Sequence, residues 1–178
     1  MNLPFYTVGH STRTIAEFSS ILNTHAIKLI IDIRTVPKSR TNPQYNQDKL
    51  PILLKPFEIQ YLHLSELGGL RGKSKTILSD VNNYWQNQSF HNYADYALSE
   101  QFQSGLNQLI DLGRKQQCVL MCAEALWWRC HRRIVSDYLL ARGETVFHLM
   151  GLKERVSASL TPAACVTPEL KIVYPACN

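Results

Sequence analysis

The chain reads as an α/β protein: a three-layer arrangement in which one mostly parallel sheet of about five strands carries helices on both faces, with a small C-terminal hairpin. Short apolar runs alternate with longer segments of helical periodicity, the pattern of repeated β-α-β units. Leu29–Ile31 and Cys118–Met121 are continuously apolar, as strands covered on both sides must be. At 178 residues the chain suits a single α/β domain, residues 1–178, with 151–178 as an irregular extension packed on it.

Phe5-Tyr-Thr-Val8 is the first strand, ending in the turn Gly9-His10-Ser11-Thr12. Thr14 with Glu17 forms a capping box, and Ile15, Phe18, Ile21 and Leu22 follow at helical spacing. Leu29–Ile31 ends in Asp32-Ile33-Arg34, after which a polar loop runs from Pro37 to Asn46. A short helix is expected over 47–55, although Pro51 fits its interior badly. Ile59–Leu62 is the third strand, followed by the glycine-rich Glu66–Gly72. Residues 73–92 show no assignable period. Tyr93, Tyr96 and Ala97 mark a helical turn. Ser99 caps a helix with Phe102, Leu106, Leu109 and Ile110 on its buried stripe, and Gly113 is expected to close it. Cys118–Met121 is the fourth and central strand. Ile134, Val135, Tyr138 and Leu139 carry the next helix to its stop at Gly143. Thr145–His148 is the fifth strand, and Val166 with Leu170–Tyr174 flanks a Thr-Pro-Glu turn.

No apolar run reaches membrane-spanning length and no signal peptide is visible, so a cytoplasmic protein without membrane contact is expected. Its five cysteines should then be thiols or ligands rather than staples. The net charge of +5 and pI near 9.0 suit an anionic partner, either a small anionic or nucleotide-like ligand or a nucleic acid.

All parallel strands of such a sheet end at one edge. The residues after them, His10 and Ser11, Asp32 and Arg34, His63 and Glu66, Cys122 and Glu124, should therefore converge. The densest stretch is Cys122-Ala-Glu124-Ala-Leu-Trp-Trp-Arg129-Cys130-His131-Arg132-Arg133. There Cys130 lies near the start of a helix among cationic neighbours, which favours its thiolate. Phosphatase- and rhodanese-type loops need an arginine six positions after the cysteine. Trp128 and Ser136 occupy those positions here, which leaves a general anion site at the helix N-terminus. The candidate catalytic residues are Cys122, Cys130, His10 and Glu124. The candidate anion-binding residues are Ser11, Asp32, Arg34, Arg40, Glu66, Arg71, His131 and Arg132. Glu66 and Glu124 could pair for acid–base work, Gly68-Gly69 could cradle a phosphate, and Trp127 and Trp128 could stack on a base. Cys165 and Cys177 are read as incidental.

Thr7-Val-Gly9-His10-Ser11-Thr12, Asp32-Ile-Arg34 with Pro37 and Arg40, Asn42-Pro43 and Glu66-Leu-Gly-Gly-Leu-Arg71 together resemble a known family. So do Tyr93-Ala-Asp95-Tyr96, Cys122-Ala-Glu124 with Cys130-His131-Arg132, Leu160-Thr-Pro162 and Val173-Tyr-Pro175. The family is the bacterial and archaeal one catalogued as domain of unknown function 488, and the resemblance spans nearly the whole chain. It implies a compact α/β domain with a site built from these motifs, and no particular reaction. Members often have Leu-Pro-Trp where this chain has Leu126-Trp127-Trp128, a departure in the shape of the cysteine loop.

The leading expectation is a cysteine-containing transferase or hydrolase acting on a phosphorylated or nucleotide-like substrate at the C-terminal edge of the sheet. The alternatives are a metal or redox site, with Cys122, Cys130, His131 and His10 as possible ligands, and a non-enzymatic nucleic-acid-binding module. No cofactor is specified by the sequence.

Overall fold

A computed structural model describes residues 2–176 and has the expected α/β architecture. The strands β1 (Phe5–Gly9), β2 (Leu29–Asp32), β3 (Gln60–His63), β4 (Cys118–Cys122) and β5 (Val146–Leu149) are parallel, in the spatial order β3-β2-β4-β1-β5. A sixth strand, β6 (Arg155–Ser157), joins β5 antiparallel and makes the sheet mixed. Its three residues are all exposed, so no apolar pattern marks it. What defines it is the hydrogen-bonded ladder to Phe147–Leu149. The strands β7 (Cys165–Val166) and β8 (Ile172–Val173) form the expected hairpin. Cys177 lies outside the described residues.

The helices α1 (Ile15–Thr24) and α2 (Leu50–Leu54) cover one face. The helices α3 (Gln88–Tyr96), α4 (Glu100–Lys115) and α5 (Arg132–Ala141) cover the other. Strand side chains alternate between the two cores, as the pleat requires. Tyr6, Val8, Ile30, Val119 and Met121 pack with Phe18, Ile21, Leu22 and Leu50 of α1 and α2. Phe5, Leu29, Ile31, Cys118 and Leu120 pack with Phe102, Leu106, Ile134 and Tyr138 of α4 and α5. Among the described residues no helix is long and apolar enough to cross a membrane.

Local chemistry sets the element ends. Thr14 Oγ1 accepts from the Glu17 amide at 3.2 Å and donates to Glu17 Oε1 at 3.0 Å, and Ser99 accepts from the Phe102 amide at 3.2 Å. Pro51 sits in the first turn of α2, where no amide donor is needed, and the helix is shorter than expected for that reason. Residues 73–92 are irregular up to Asn87, which caps α3 through the amides of Ser89 and Phe90. Asn82 anchors that segment between Asp95 Oδ1 at 2.7 Å and the Tyr174 amide at 2.8 Å. Tyr174 in turn donates to Asp137 Oδ2 at 2.8 Å, fastening the C-terminal extension to α5.

Gly143, at φ +82°, stops α5 as expected. Gly113 does not stop α4, which continues to Lys115. It is needed instead for close packing, because a Cβ there would overlap the Phe5 ring. Gly113→Ala should therefore lower stability by about 1–3 kcal/mol through overpacking. A lower urea midpoint with an unchanged far-ultraviolet spectrum is the expected result; an unchanged midpoint would contradict this reading of Gly113.

Candidate active site

The crossovers leaving β1 and β4 run in opposite directions across the sheet, which opens a crevice at their C-terminal ends. Gly9 pairs with Cys122, and the two chains stay joined beyond the sheet. The His10 amide donates to the Cys122 carbonyl at 2.8 Å and the Ser11 amide to the Ala123 carbonyl at 3.0 Å. A Cβ on Gly9 would overlap the Glu124 carbonyl, so glycine permits this approach.

The backbones meet, but the side chains expected to share a pocket part company. His10 falls on the α1 face, where its ring stacks on Tyr45 at 4.1 Å. Nδ1 donates to the Ser11 carbonyl at 2.8 Å, which leaves Nε2 as an acceptor 3.4 Å from Arg34 Nη1. Burial, helped by the Arg34 charge, lowers its pKa to about 4 against the pull of the Ser11 carbonyl, so the ring is neutral. Asp32 lies on the same face and accepts from Arg34 Nε at 2.9 Å, Arg34 Nη2 at 2.7 Å and Tyr61 Oη at 2.5 Å. Arg34 also donates to the Tyr45 carbonyl at 2.7 Å. Asp32 and Arg34 therefore form a clamp for their loop, and Arg34, with its donors engaged there, also lines the cavity on the opposite face.

A cavity of about 330 Å³ opens on the opposite face, over the ends of β2 and β4. Val36, Leu70, Phe90 and Tyr93 form its apolar wall; Arg34, Lys38, Arg129 and Glu124 are charged groups along it. Cys122, Cys130 and His131 also line it. Cys122 ends β4, and Cys130 follows a 3-10 turn at Trp127–Arg129, just before α5. Both are free thiols, with their sulfurs 2.7 Å apart.

Cys130 Sγ accepts from the Arg132 amide at 3.5 Å, so the sulfur itself occupies the anion position at the start of α5. It also lies 3.4 Å from His131 Nδ1. His131 Nε2 donates to the Ile33 carbonyl at 2.7 Å, which leaves Nδ1 to exchange a proton with Cys130.

Behind the sulfurs lies Arg132, fully buried. Nη1 donates to Thr7 Oγ1 at 3.2 Å and Nη2 to the carbonyls of Glu124 at 2.5 Å and Ala125 at 3.4 Å; Nε has no hydrogen-bond partner. The ion pairs among the described residues do not include Arg132. A guanidinium keeps its charge, and a buried charge is costly unless something answers it. Its charge acts on the two sulfurs. Burial pushes the Cys130 thiol up, but the Cys122 hydrogen bond and the His131 and Arg132 charges outweigh it and hold it well below its ordinary value. Burial and the neighbouring Cys130 hold Cys122 well above it. The two directions favour the negative charge on Cys130 and the proton on Cys122.

Thr7 Oγ1, accepting from Arg132, is free to donate to His148 Nδ1 at 2.6 Å. Burial first, then the Arg132 charge, lowers the His148 pKa to about 3. Trp127 stacks on this neutral ring at 4.4 Å and 3°. An aromatic contact thus shapes the cysteine loop at the position where the family often has a proline.

The remaining candidates lie elsewhere. Arg132 backs the thiols from outside the cavity wall and does not reach into it. Arg71 donates to the carbonyls of Gly68 at 3.0 Å and Ser65 at 2.7 Å and stacks over Tyr96, so it holds its own loop. The Glu66 carbonyl accepts from Tyr96 Oη at 2.6 Å and its Cβ abuts Gly105; it is not on the cavity wall with Glu124. Ser11 and Arg40 are likewise absent from that wall, whereas Gly69 lies on it with its α-carbon against the His131 ring. Among the described residues no group of three or more His, Cys, Asp or Glu side chains is placed to hold a metal ion. His10, the fourth ligand considered, faces Arg34. Lys38, Arg129, Phe90 and Tyr93 were not among the candidates. Lys38 and Arg129 were visible as flanking basic residues, whereas Phe90 fell in the segment without a period.

The sequence profile of a family described as Domain of unknown function DUF488 matches residues 14–139. The chain belongs to that family. The DUF488 match runs from the α1 cap into α5 and takes in every residue of the cavity wall; the Thr7–Thr12 turn, His148 and the C-terminal segments fall outside it. No curated protein and no solved structure matches the chain.

Below about pH 6.5 the unfolded chain protonates His148 while the folded chain does not until about pH 3, so stability falls as pH falls through that window. His148→Gln, whose side-chain carbonyl can still accept from Thr7, should narrow the stability difference between pH 7 and pH 5 by about 2 kcal/mol. Urea titrations at both values measure this; an undiminished difference would show that His148 stays solvated.

Proposed function

We propose that the protein is a thiol-dependent enzyme, a transferase or hydrolase whose Cys130 thiolate attacks a small anionic substrate held in the cavity. The observation that carries this reading is Arg132: a fully buried guanidinium with no carboxylate partner among the described residues, backing two sulfurs. That arrangement favours a charged nucleophile at the cavity floor. His131, hydrogen-bonded to Ile33, exchanges the proton with Cys130. Lys38 and Arg129 attract the anion, Phe90 and Tyr93 provide a flat apolar wall, and Glu124 is available to relay protons. Phosphorylated and nucleotide-like compounds meet these requirements of charge and shape. His10 and Asp32 act as the scaffold on the opposite face of the sheet and hold Arg34, which borders the cavity.

Alkylation tests this directly. Iodoacetamide should modify Cys130 ahead of the other cysteines, at a rate that persists below the ordinary thiol pKa, and Cys130→Ser should remove the fast phase. Iodoacetate, the anionic reagent, should lose about fivefold in rate on Lys38→Met plus Arg129→Met, with iodoacetamide changed less than about twofold. Modification of Cys130 no faster than free cysteine would overturn the proposal.

A further inference from the structure

The cavity floor holds a second sulfur that a nucleophilic cysteine does not require. Cys122 Sγ lies 2.7 Å from Cys130 Sγ and lines the same cavity. We propose, keeping the Cys130 nucleophile above but with thiol–disulfide exchange in place of group transfer or hydrolysis, that Cys122 is its resolving thiol and that the substrate is a low-molecular-weight disulfide bearing anionic groups.

Resolution by a neighbouring thiol restricts what Cys130 can carry. If Cys130 held an acyl or phosphoryl group, Cys122 would attack carbon or phosphorus and merely take the group onto itself. Attack on Cys130 Sγ releases the bound group only when that group leaves as a thiolate or as water. A mixed disulfide and a sulfenic acid both qualify. The cavity decides between them. A peroxide needs no space of about 330 Å³, no aromatic wall and no cations at the mouth, whereas an anionic disulfide uses all three.

The exchange runs in two balanced steps. Cys130 thiolate attacks one sulfur of R–S–S–R; the Cys130–S–S–R bond forms, the substrate S–S bond breaks, and RS⁻ leaves with the electron pair. Cys122 then attacks Cys130 Sγ; the Cys122–Cys130 bond forms, the bond to R–S breaks, and the second leaving thiolate takes the proton that Cys122 gives up. The protein pair is oxidised by two electrons and the substrate disulfide is reduced to two thiols. The asymmetry of the pair suits this order. Cys130 receives the Arg132 amide hydrogen bond and adjoins His131, while Cys122 donates toward the Glu124 carbonyl at 3.7 Å and keeps its proton until the second step.

The experiment uses the full-length reduced protein with oxidised glutathione as an anionic disulfide, bis(2-hydroxyethyl) disulfide as a neutral one, and hydrogen peroxide. Rapid acid quench and intact mass should show one glutathionyl group appearing first and then giving way to a Cys122–Cys130 crosslink, with two glutathiones released per chain. Cys122→Ser should stop at the mixed disulfide, and Cys130→Ser should react at least about tenfold more slowly. Oxidised glutathione should outpace the neutral disulfide, and Lys38→Met should narrow that preference. Accumulation of a stable glutathionyl adduct on the wild-type chain would overturn the resolving role. Faster oxidation by peroxide than by oxidised glutathione would overturn the substrate class. If Cys122→Ser fails to fold, the time order of adduct and crosslink in the wild-type chain decides alone. Rapid iodoacetamide modification of Cys130 without any exchange would leave the nucleophile standing and remove this inference; slow modification would remove both.

Discussion

The buried Arg132 guanidinium is the constraint from which the site follows. It reaches from α5 to Thr7 on β1 and to the Glu124 and Ala125 carbonyls of the cysteine loop, and it sits behind both sulfurs. Its charge cannot be discharged by deprotonation, and no carboxylate pairs with it among the described residues. Three backbone and hydroxyl oxygens take its two Nη groups, Nε has no partner among the described residues, and its charge faces the two sulfurs. Structure and reactivity are therefore coupled here: the group that ties three segments together is also the group that polarises the cavity floor.

The pleat then divides the polar residues into two sets. Thr7, Gly9, Leu120, Cys122 and His148 share the α4–α5 side of the sheet, as the register of β1 with β4 and β5 shows. Val8, His10, Met121 and Asp32 share the α1 side. The first set ends in the thiols, the cavity and the Trp127–His148 stack. The second closes on itself in the Asp32–Arg34–His10–Tyr45 network, with Tyr61 capping the carboxylate. That network leaves its own polar atoms satisfied, which suits a clamp rather than a binding surface.

Much of the site could be read from the linear chain, but unevenly. Cys130 stands out because helix start, arginines and histidine coincide within a few positions. Strand-end convergence correctly joined the β1 and β4 loops, since His10 and Ser11 do hydrogen-bond to Cys122 and Ala123 through their backbones. It failed for the His10 side chain because convergence of loops says nothing about which face each side chain takes. The alternation that separates His10 from Cys122 is a period-two property, and it needs the strand register before it can be applied. Arg71, Arg132 and Glu66 looked like ligand-binding groups by charge alone. Arg71 and Arg132 are taken up by backbone carbonyls, a hydroxyl and a ring, and Glu66 lies off the cavity wall, none of which a spacing rule brings into view.

The sequence by itself determined the order of the five parallel strands, the α/β class, the caps at Thr14 and Ser99, the stop at Gly143 and the position of the cysteine loop. All of these are local: periods, capping side chains and apolar runs act within a few residues. Only the tertiary structure decided that Gly113 yields to Phe5, that Cys122 and Cys130 face one another across the β4–α5 junction, and that Arg132 is buried behind them without a carboxylate among the described residues. Those outcomes depend on which sheet face each residue takes and on which groups the packed helices exclude from water, and both are properties of the assembled layers.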